Sequence, residues 1–201
     1  MTVIVDYGMG NLRSVQKGFE KVGSRAIISR DAEQIKNASR LVLPGVGAFP
    51  ECMKNLFRLN LIEPILEFIQ SGRPFLGICL GLQLLFDESE EFGLHDGFKV
   101  IRGGVKAFSR QMGLKIPHMG WNQVVFRKDA PIFRGIPDGS HFYFVHSYYV
   151  LPDDSSDVAG ETDYGITFTC AVARENIFAV QFHPEKSQEN GLRILANFAR
   201  L

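Results

Sequence analysis

The sequence predicts an α/β fold built on a mostly parallel sheet, and three observations predict it. Short apolar runs alternate with helical patterns through the first half of the chain. Glycine-rich turns stand where several of those runs end. After about residue 95 short β-rich runs dominate, which predicts antiparallel strands added in the second half.

Taken in order, Thr2–Val5 (TVIV) reads as a buried strand, and Asp6–Asn11 (DYGMGN) as a glycine-rich turn. Leu12, Val15, Phe19 and Val22 recur at helical spacing, and Gly23 closes that helix. Strands are expected over Arg25–Ser29 and Arg40–Leu43, the second ending at Pro44-Gly45-Val46-Gly47. Two helices follow, over Pro50–Leu59 and Leu61–Gln70, the first with proline in its opening turn. Phe75–Ile78 is a strand, and Leu80–Phe86 is expected to be a helix directly after it. The later runs are Val100–Ile101, Val105–Phe108, Val124–Phe126, Phe142–Val145, Val158–Glu161, Thr167–Ala173 and Ile177–Phe182. Gln188–Arg200 closes the chain as an amphipathic helix, with Leu192, Leu195, Ala196 and Ala199 on one face. No repeat or linker interrupts residues 1–201, so one domain is expected.

Lys plus Arg and Asp plus Glu are both 22, so no basic field points to nucleic acid. Three cysteines fit a reducing compartment better than a disulfide framework. The opening MTVIVDYGMG has no basic stretch ahead of an apolar one, and no apolar run approaches the roughly 20 residues of a membrane span. A cytoplasmic location is the expectation. Cys52 and Cys170 lack ligand spacing with any histidine, so they read as packed thiols, with no metal or other cofactor expected.

The sharpest local signal is Gly77-Ile78-Cys79-Leu80-Gly81, entered by an apolar strand and left by a helix. This is the glycine-flanked strand-to-helix turn that presents a nucleophile, with cysteine in the reactive position. The glycines allow close backbone approach, and the helix N-terminus favours a thiolate. The Leu80 N–H can point at a developing oxyanion. An isolated cysteine would read as an inert core residue; the two glycines argue against that for Cys79. Its base is expected to be His183, in Gln181-Phe182-His183-Pro184-Glu185. Pro184 keeps His183 extended, and strand alternation would set Glu185 on the same side, where its carboxylate can fix the ring tautomer. The other histidines, His95, His118, His141 and His146, lack such a neighbour and are assigned to surface or interface roles. A second oxyanion donor could come from the turn at Gly45, Val46 and Gly47, whose plain alternative is an ordinary tight turn.

Leu41–Gly47, Gly77–Leu85 and Gln181–Ser187 resemble the corresponding blocks of class I (triad-type) glutamine amidotransferases. Asp6–Asn11, Pro117–Asn122 and Tyr143–Tyr148 narrow the resemblance to the branch that supplies ammonia for histidine biosynthesis. The blocks run from the first strand to the last helix. The resemblance implies a single flavodoxin-like three-layer domain over residues 1–201. It implies that Cys79 attacks the side-chain amide of glutamine, with His183 and Glu185 completing a triad. Gln83 and Glu91 would help hold glutamine, with backbone near Gly47 and near His146 and Ser147. Gln83 also lies one helical turn from Cys79, which would set it in the same pocket; its plain alternative is a solvated polar residue of the helix. Glu91 ends the acidic run Asp87-Glu88-Ser89-Glu90-Glu91, which could be a solvated face. The implied partner is a (β/α)8-barrel cyclase subunit that makes imidazole glycerol phosphate, with Asn11, His118, Trp121, Tyr143 and Lys186 near the heterodimer interface. Three other readings compete: a paralogous subunit feeding a different synthase, a γ-glutamyl hydrolase or cysteine peptidase on the same scaffold, and a catalytically dead binding module.

Overall fold

The computed structural model describes all residues, 1–201. The first strand, β1 (Thr2–Val5), is buried at every position, which is why it reads as an unbroken run rather than an alternation. Helix α1 (Leu12–Lys21) turns Val15, Gly18 and Phe19 inward. Strand β2 (Ala26–Ser29), helix α2 (Ala32–Lys36) and strand β3 (Arg40–Gly45) follow. Helix α2 is absent from the sequence reading because five residues are too few to show a period. Its start is set locally by Asp31, whose side chain accepts the Gln34 N–H at 2.9 Å. Helices α3 (Phe49–Arg58) and α4 (Ile62–Gln70) lie close to the expected bounds.

Strand β4 (Phe75–Cys79) runs directly into α5 (Leu80–Gln83), and here the structure corrects the sequence reading. The helix expected to reach Phe86 stops at Gln83, and Phe86–Ser89 is instead strand β5. The carbonyl of Leu84 accepts the Phe98 N–H, and that of Leu85 accepts those of Val100 and Ile101. Long-range pairing thus takes the groups that a continuing helix would have used. The rest comprises β6 (His95–Asp96), β7 (Ile101–Ala107), β8 (His118–Phe126), β9 (Ser140–His146), β10 (Tyr148–Pro152), β11 (Val158–Asp163), β12 (Thr167–Arg174), β13 (Ile177–Val180) and α6 (Gln188–Phe198). Two expected runs fuse into β7 across Gly103 and Gly104, which carry no apolar side chain to reveal the strand.

The main path of the sheet runs β2-β1-β3-β4-β13-β12-β10-β7-β5-β6. Its first five strands are mutually parallel. Beyond β13 most pairings are antiparallel, with β5 and β7 the parallel exception. Strands β8 and β9 form an antiparallel ribbon that joins through β11. One core layer packs Val3, Leu41, Leu43 and Phe75 against Phe49, Leu56, Ile65 and Phe68 of α3 and α4. The opposite layer packs Ile4, Val42, Leu76 and Ile78 against Val15 and Phe19 of α1 and Ile194, Leu195 and Phe198 of α6. This three-layer α/β arrangement covers the parallel strands on both faces and leaves their C-terminal edge for the site.

Candidate active site

The parallel register decides what meets. Gly45 of β3 lies beside Cys79 of β4, and Val180 of β13 lies beside Ile78. Three segments far apart in sequence therefore leave the sheet at one edge. Cys79 adopts φ 55° and ψ −109°, a backbone state that L-residues rarely hold. The flanking glycines make that turn possible. A Cβ on Gly81 would lie 1.8 Å from the Leu43 carbonyl oxygen, and one on Gly77 would lie 2.6 Å from that of Gly81. Gly45 serves the same close packing, because its Cβ would meet Leu80 at 2.6 Å and the Tyr7 hydroxyl at 2.7 Å.

Cys79, Leu80, Gln83, Glu91, His146, Ser147 and His183 line one cavity of about 280 Å³, together with Val46 and Gly47 of the turn. Gly45 lies behind the cavity wall, and Glu185 lies behind His183. The side chains of His183 and Glu185 are both nearly inaccessible, and His183 Nδ1 donates to Glu185 Oε1 at 2.8 Å. The route to that contact differs from the expected strand alternation. His183 is extended, but Pro184–Lys186 is a 3₁₀ turn that swings the carboxylate back beneath the ring. Burial by itself pulls the His183 imidazole down. The interactions with Cys79 and Glu185 outweigh it and raise the group to about 10. His183 Nε2 is left facing the Cys79 sulfur and has no other hydrogen-bond partner. This is the arrangement of a ring oriented on one side and available for proton transfer on the other.

Neither the Val46 nor the Gly47 N–H donates to another backbone group. Gly47 holds φ +94°, and the Val46 carbonyl accepts from Cys52 Sγ at 3.8 Å. Glu91 is half-buried rather than part of a solvated acidic face. Its Oε2 accepts the Phe49 N–H at the start of α3 at 2.7 Å, and burial raises its carboxyl despite that bond. Gln83 is buried, its Nε2 donates to the Tyr148 carbonyl at 3.2 Å, and its Oε1 is buried without a partner.

The surface roles expected of His118 and His146 require correction, although His146 does line the cavity. His118, assigned to the interface, is 2% exposed, and His146 is also buried. His118 occupies an inward position of β8, paired with His146 on β9, and its ring stacks on Phe144 and Tyr164. His118 Nδ1 lies 2.9 Å from His146 Nε2, and His146 Nδ1 lies 2.8 Å from the Tyr148 carbonyl. A carbonyl only accepts, so His146 carries its proton on Nδ1 and His118 donates to His146. Both rings are neutral: burial depresses His118 to about 4 and His146 to about 3. The other interface candidates lie at or near the surface. Trp121 is 47% exposed and meets Tyr143 edge-on, while Lys186 Nζ stands 5.6 Å over the Tyr143 ring. Asn11 is exposed just before α1. Tyr143 also touches the site through the backbone, since its carbonyl accepts the His183 N–H at 2.9 Å.

Sequence reasoning did not single out Pro117, Val145 and Tyr148 of the cavity wall, or Gln181 beside the sulfur. Gln181 had a signal, because it lies two residues before His183 in the same motif. Tyr148 acts through its carbonyl, which no side-chain pattern reports. No cluster of three or more potential metal ligands is present, and no helix is long and apolar enough to cross a membrane.

A family model described as "Glutamine amidotransferase class-I" matches residues 3–201. The chain belongs to the class I glutamine amidotransferases. It is 60% identical to a protein of Syntrophotalea carbinolica described as "Imidazole glycerol phosphate synthase subunit HisH", over 98% of each chain. It is 54% identical to the protein of the same description from Geobacter sulfurreducens, over 98% of this chain and 97% of that one. Among solved structures, PurLQS from Thermotoga maritima superposes with a TM-score of 0.77 at 16% identity, over 99% of this chain and 97% of that one, a likeness of fold alone.

Proposed function

We propose that this chain is the glutaminase subunit of an imidazole glycerol phosphate synthase. It hydrolyses glutamine to glutamate and ammonia, and passes the ammonia to a cyclase subunit in histidine biosynthesis. The single observation that carries the chemistry is Cys79 on its strained elbow, sharing one cavity with a His183 ring held by Glu185.

Cys79 Sγ, as thiolate, attacks the side-chain amide carbon of glutamine. Negative charge then develops on the amide oxygen, where the N–H groups of Leu80 and of the Val46–Gly47 turn are suited to meet it. His183 delivers a proton to the departing nitrogen, and ammonia leaves a γ-glutamyl thioester on Cys79. Water, with His183 as base, hydrolyses the thioester to glutamate and restores the thiolate. Glu185 holds the ring through Nδ1 so that Nε2 serves both transfers. Gln83 Oε1, buried without a partner, is an acceptor matched to an ammonium group such as that of the amino acid. Glu91 and the backbone of His146 and Ser147 complete the wall that holds glutamine. The small cavity suits one amino acid better than the extended peptide a cysteine peptidase would bind.

The partner is a (β/α)8-barrel cyclase docking over Trp121, Tyr143, Lys186 and Asn11, in the cytoplasm. Exposed aromatic and long cationic side chains suit such a surface. The test is Cys79→Ala in the assembled synthase. Synthesis driven by glutamine is expected to be lost, while synthesis driven by added ammonium salt continues. Glutamine-driven synthesis by that variant would refute the reading.

A further inference from the structure

One backbone carbonyl orients a buried amide toward the reactive sulfur. The Tyr148 carbonyl can only accept, so the Gln83 atom 3.2 Å from it is the amide nitrogen. The same Gln83 nitrogen lies 3.1 Å from the side chain of Gln181, which must therefore present its oxygen there. The other end of the Gln181 amide, 3.6 Å from Cys79 Sγ, is then its N–H₂ group. His146 Nδ1 donates to the same carbonyl, so this anchor is bonded from two sides. Gln181 is wholly buried and Gln83 is 3% exposed, so water does not compete for these contacts.

We propose that Gln181 is a further catalytic residue. Its amide donates a hydrogen bond to the ionised sulfur of Cys79, with its polarity imposed by the Tyr148 carbonyl through Gln83. This rests on the reading of Cys79 as nucleophile. A flipped amide would aim its oxygen at the sulfur and oppose the thiolate. The donating amide stabilises the anion in the resting enzyme and again when thioester hydrolysis returns it. Gln83 then has two duties: its nitrogen positions Gln181, and its oxygen is left for the ligand. The titratable groups around the sulfur are His183, backed by Glu185, on the β13 side; Tyr7 after β1; Cys52 on α3; Glu91 after β5; His146 on β9; and Tyr148 on β10. None of them is altered in the test.

The experiment follows the alkylation rate of Cys79 by iodoacetamide against pH, with the modified peptide identified by mass. It compares the wild-type chain with Gln181→Met and Gln83→Met. Both variants are expected to move the midpoint upward by about one to two pH units. An unmoved midpoint in Gln181→Met overturns the proposal. A shift in Gln181→Met with none in Gln83→Met overturns the imposed polarity. Modification of Cys52 or Cys170 in place of Cys79 would refute the nucleophile reading instead. Should either variant fail to fold, ¹⁵N-glutamine labelling of the wild type supplies the answer. The Gln181 side-chain amide signal is expected to titrate with Cys79, and a signal that stays constant overturns the proposal.

Discussion

Cys79 holds a backbone geometry that costs an L-residue about 1–3 kcal/mol, and the fold supplies that energy from its packing. The strain lifts the sulfur off the strand end into the cavity that holds His183. The role proposed for Glu185 makes a definite prediction. Glu185→Gln keeps the shape but weakens control of the tautomer. The kcat for glutamine is expected to fall by roughly two to four orders of magnitude, with KM changed far less, as steady-state kinetics would show. The buried histidines predict an acid limb of stability. His118 and His146 have values in the fold depressed below the unfolded value of about 6.5. Below that pH the unfolded chain binds protons that the fold refuses. Their contribution is therefore complete above about pH 6.5 and is lost as pH falls toward their folded values, with a slope up to about 1.4 kcal/mol per pH unit for each ring. His118→Phe is expected to make urea-unfolding stability fall less steeply between pH 6.5 and 4. His183 acts with the opposite sign. Its raised value contributes below about pH 6.5 and is lost as pH rises through about 10.

At the scale of elements, the site depends on how closely α5 approaches β3. Gly81 packs against the Leu43 carbonyl with no room for a methyl group, and the obstacle is backbone that cannot rotate away. Gly81→Ala is expected to cost about 3 kcal/mol or more, read from the urea midpoint, and to displace the elbow. The β8–β9 ribbon has two different faces. Trp121 and Tyr143 face outward, whereas His118 and His146 are buried on its inner face, and His146 lines the cavity. One ribbon therefore carries both the surface proposed for the partner and part of the pocket proposed for glutamine. Ser187 tightens that link, since its hydroxyl donates to the His183 carbonyl at 2.7 Å and accepts the Tyr143 N–H at 2.9 Å.

For the molecule as a whole, the parallel half of the sheet builds the catalytic edge and the antiparallel half covers it. The Val46–Gly47 turn lies between them and is the part we propose to move. Its two N–H groups have no backbone acceptor, and Gly47 holds a left-handed conformation in which a peptide unit can reorient. Glutamine hydrolysis by the lone chain is accordingly expected to be weak. It should rise at least roughly tenfold with the cyclase and its nucleotide bound, because docking favours the turn that aims an N–H at the oxyanion. Steady-state assays of the chain alone, with cyclase, and with cyclase plus nucleotide test this. Full activity in the lone chain would count against the turn as a gate.

The sequence by itself determined the local chemistry: a cysteine between two glycines at the end of an apolar strand, a histidine held extended by proline, and the α/β order of the first half. These features were legible because the residues that produce them are neighbours in the chain. Tertiary structure alone decided the rest. Helix α5 stops at Gln83 because carbonyls beyond it are taken by residues 98–101. His118 is buried because it pairs with His146, 28 residues away. Gln181 reaches Gln83 across 98 residues and Cys79 across 102. Cys79 itself was visible in the sequence, but its surroundings depend on the register that aligns β3, β4 and β13. Register arises from hydrogen bonds between distant strands, so a pattern of neighbouring residues does not encode it.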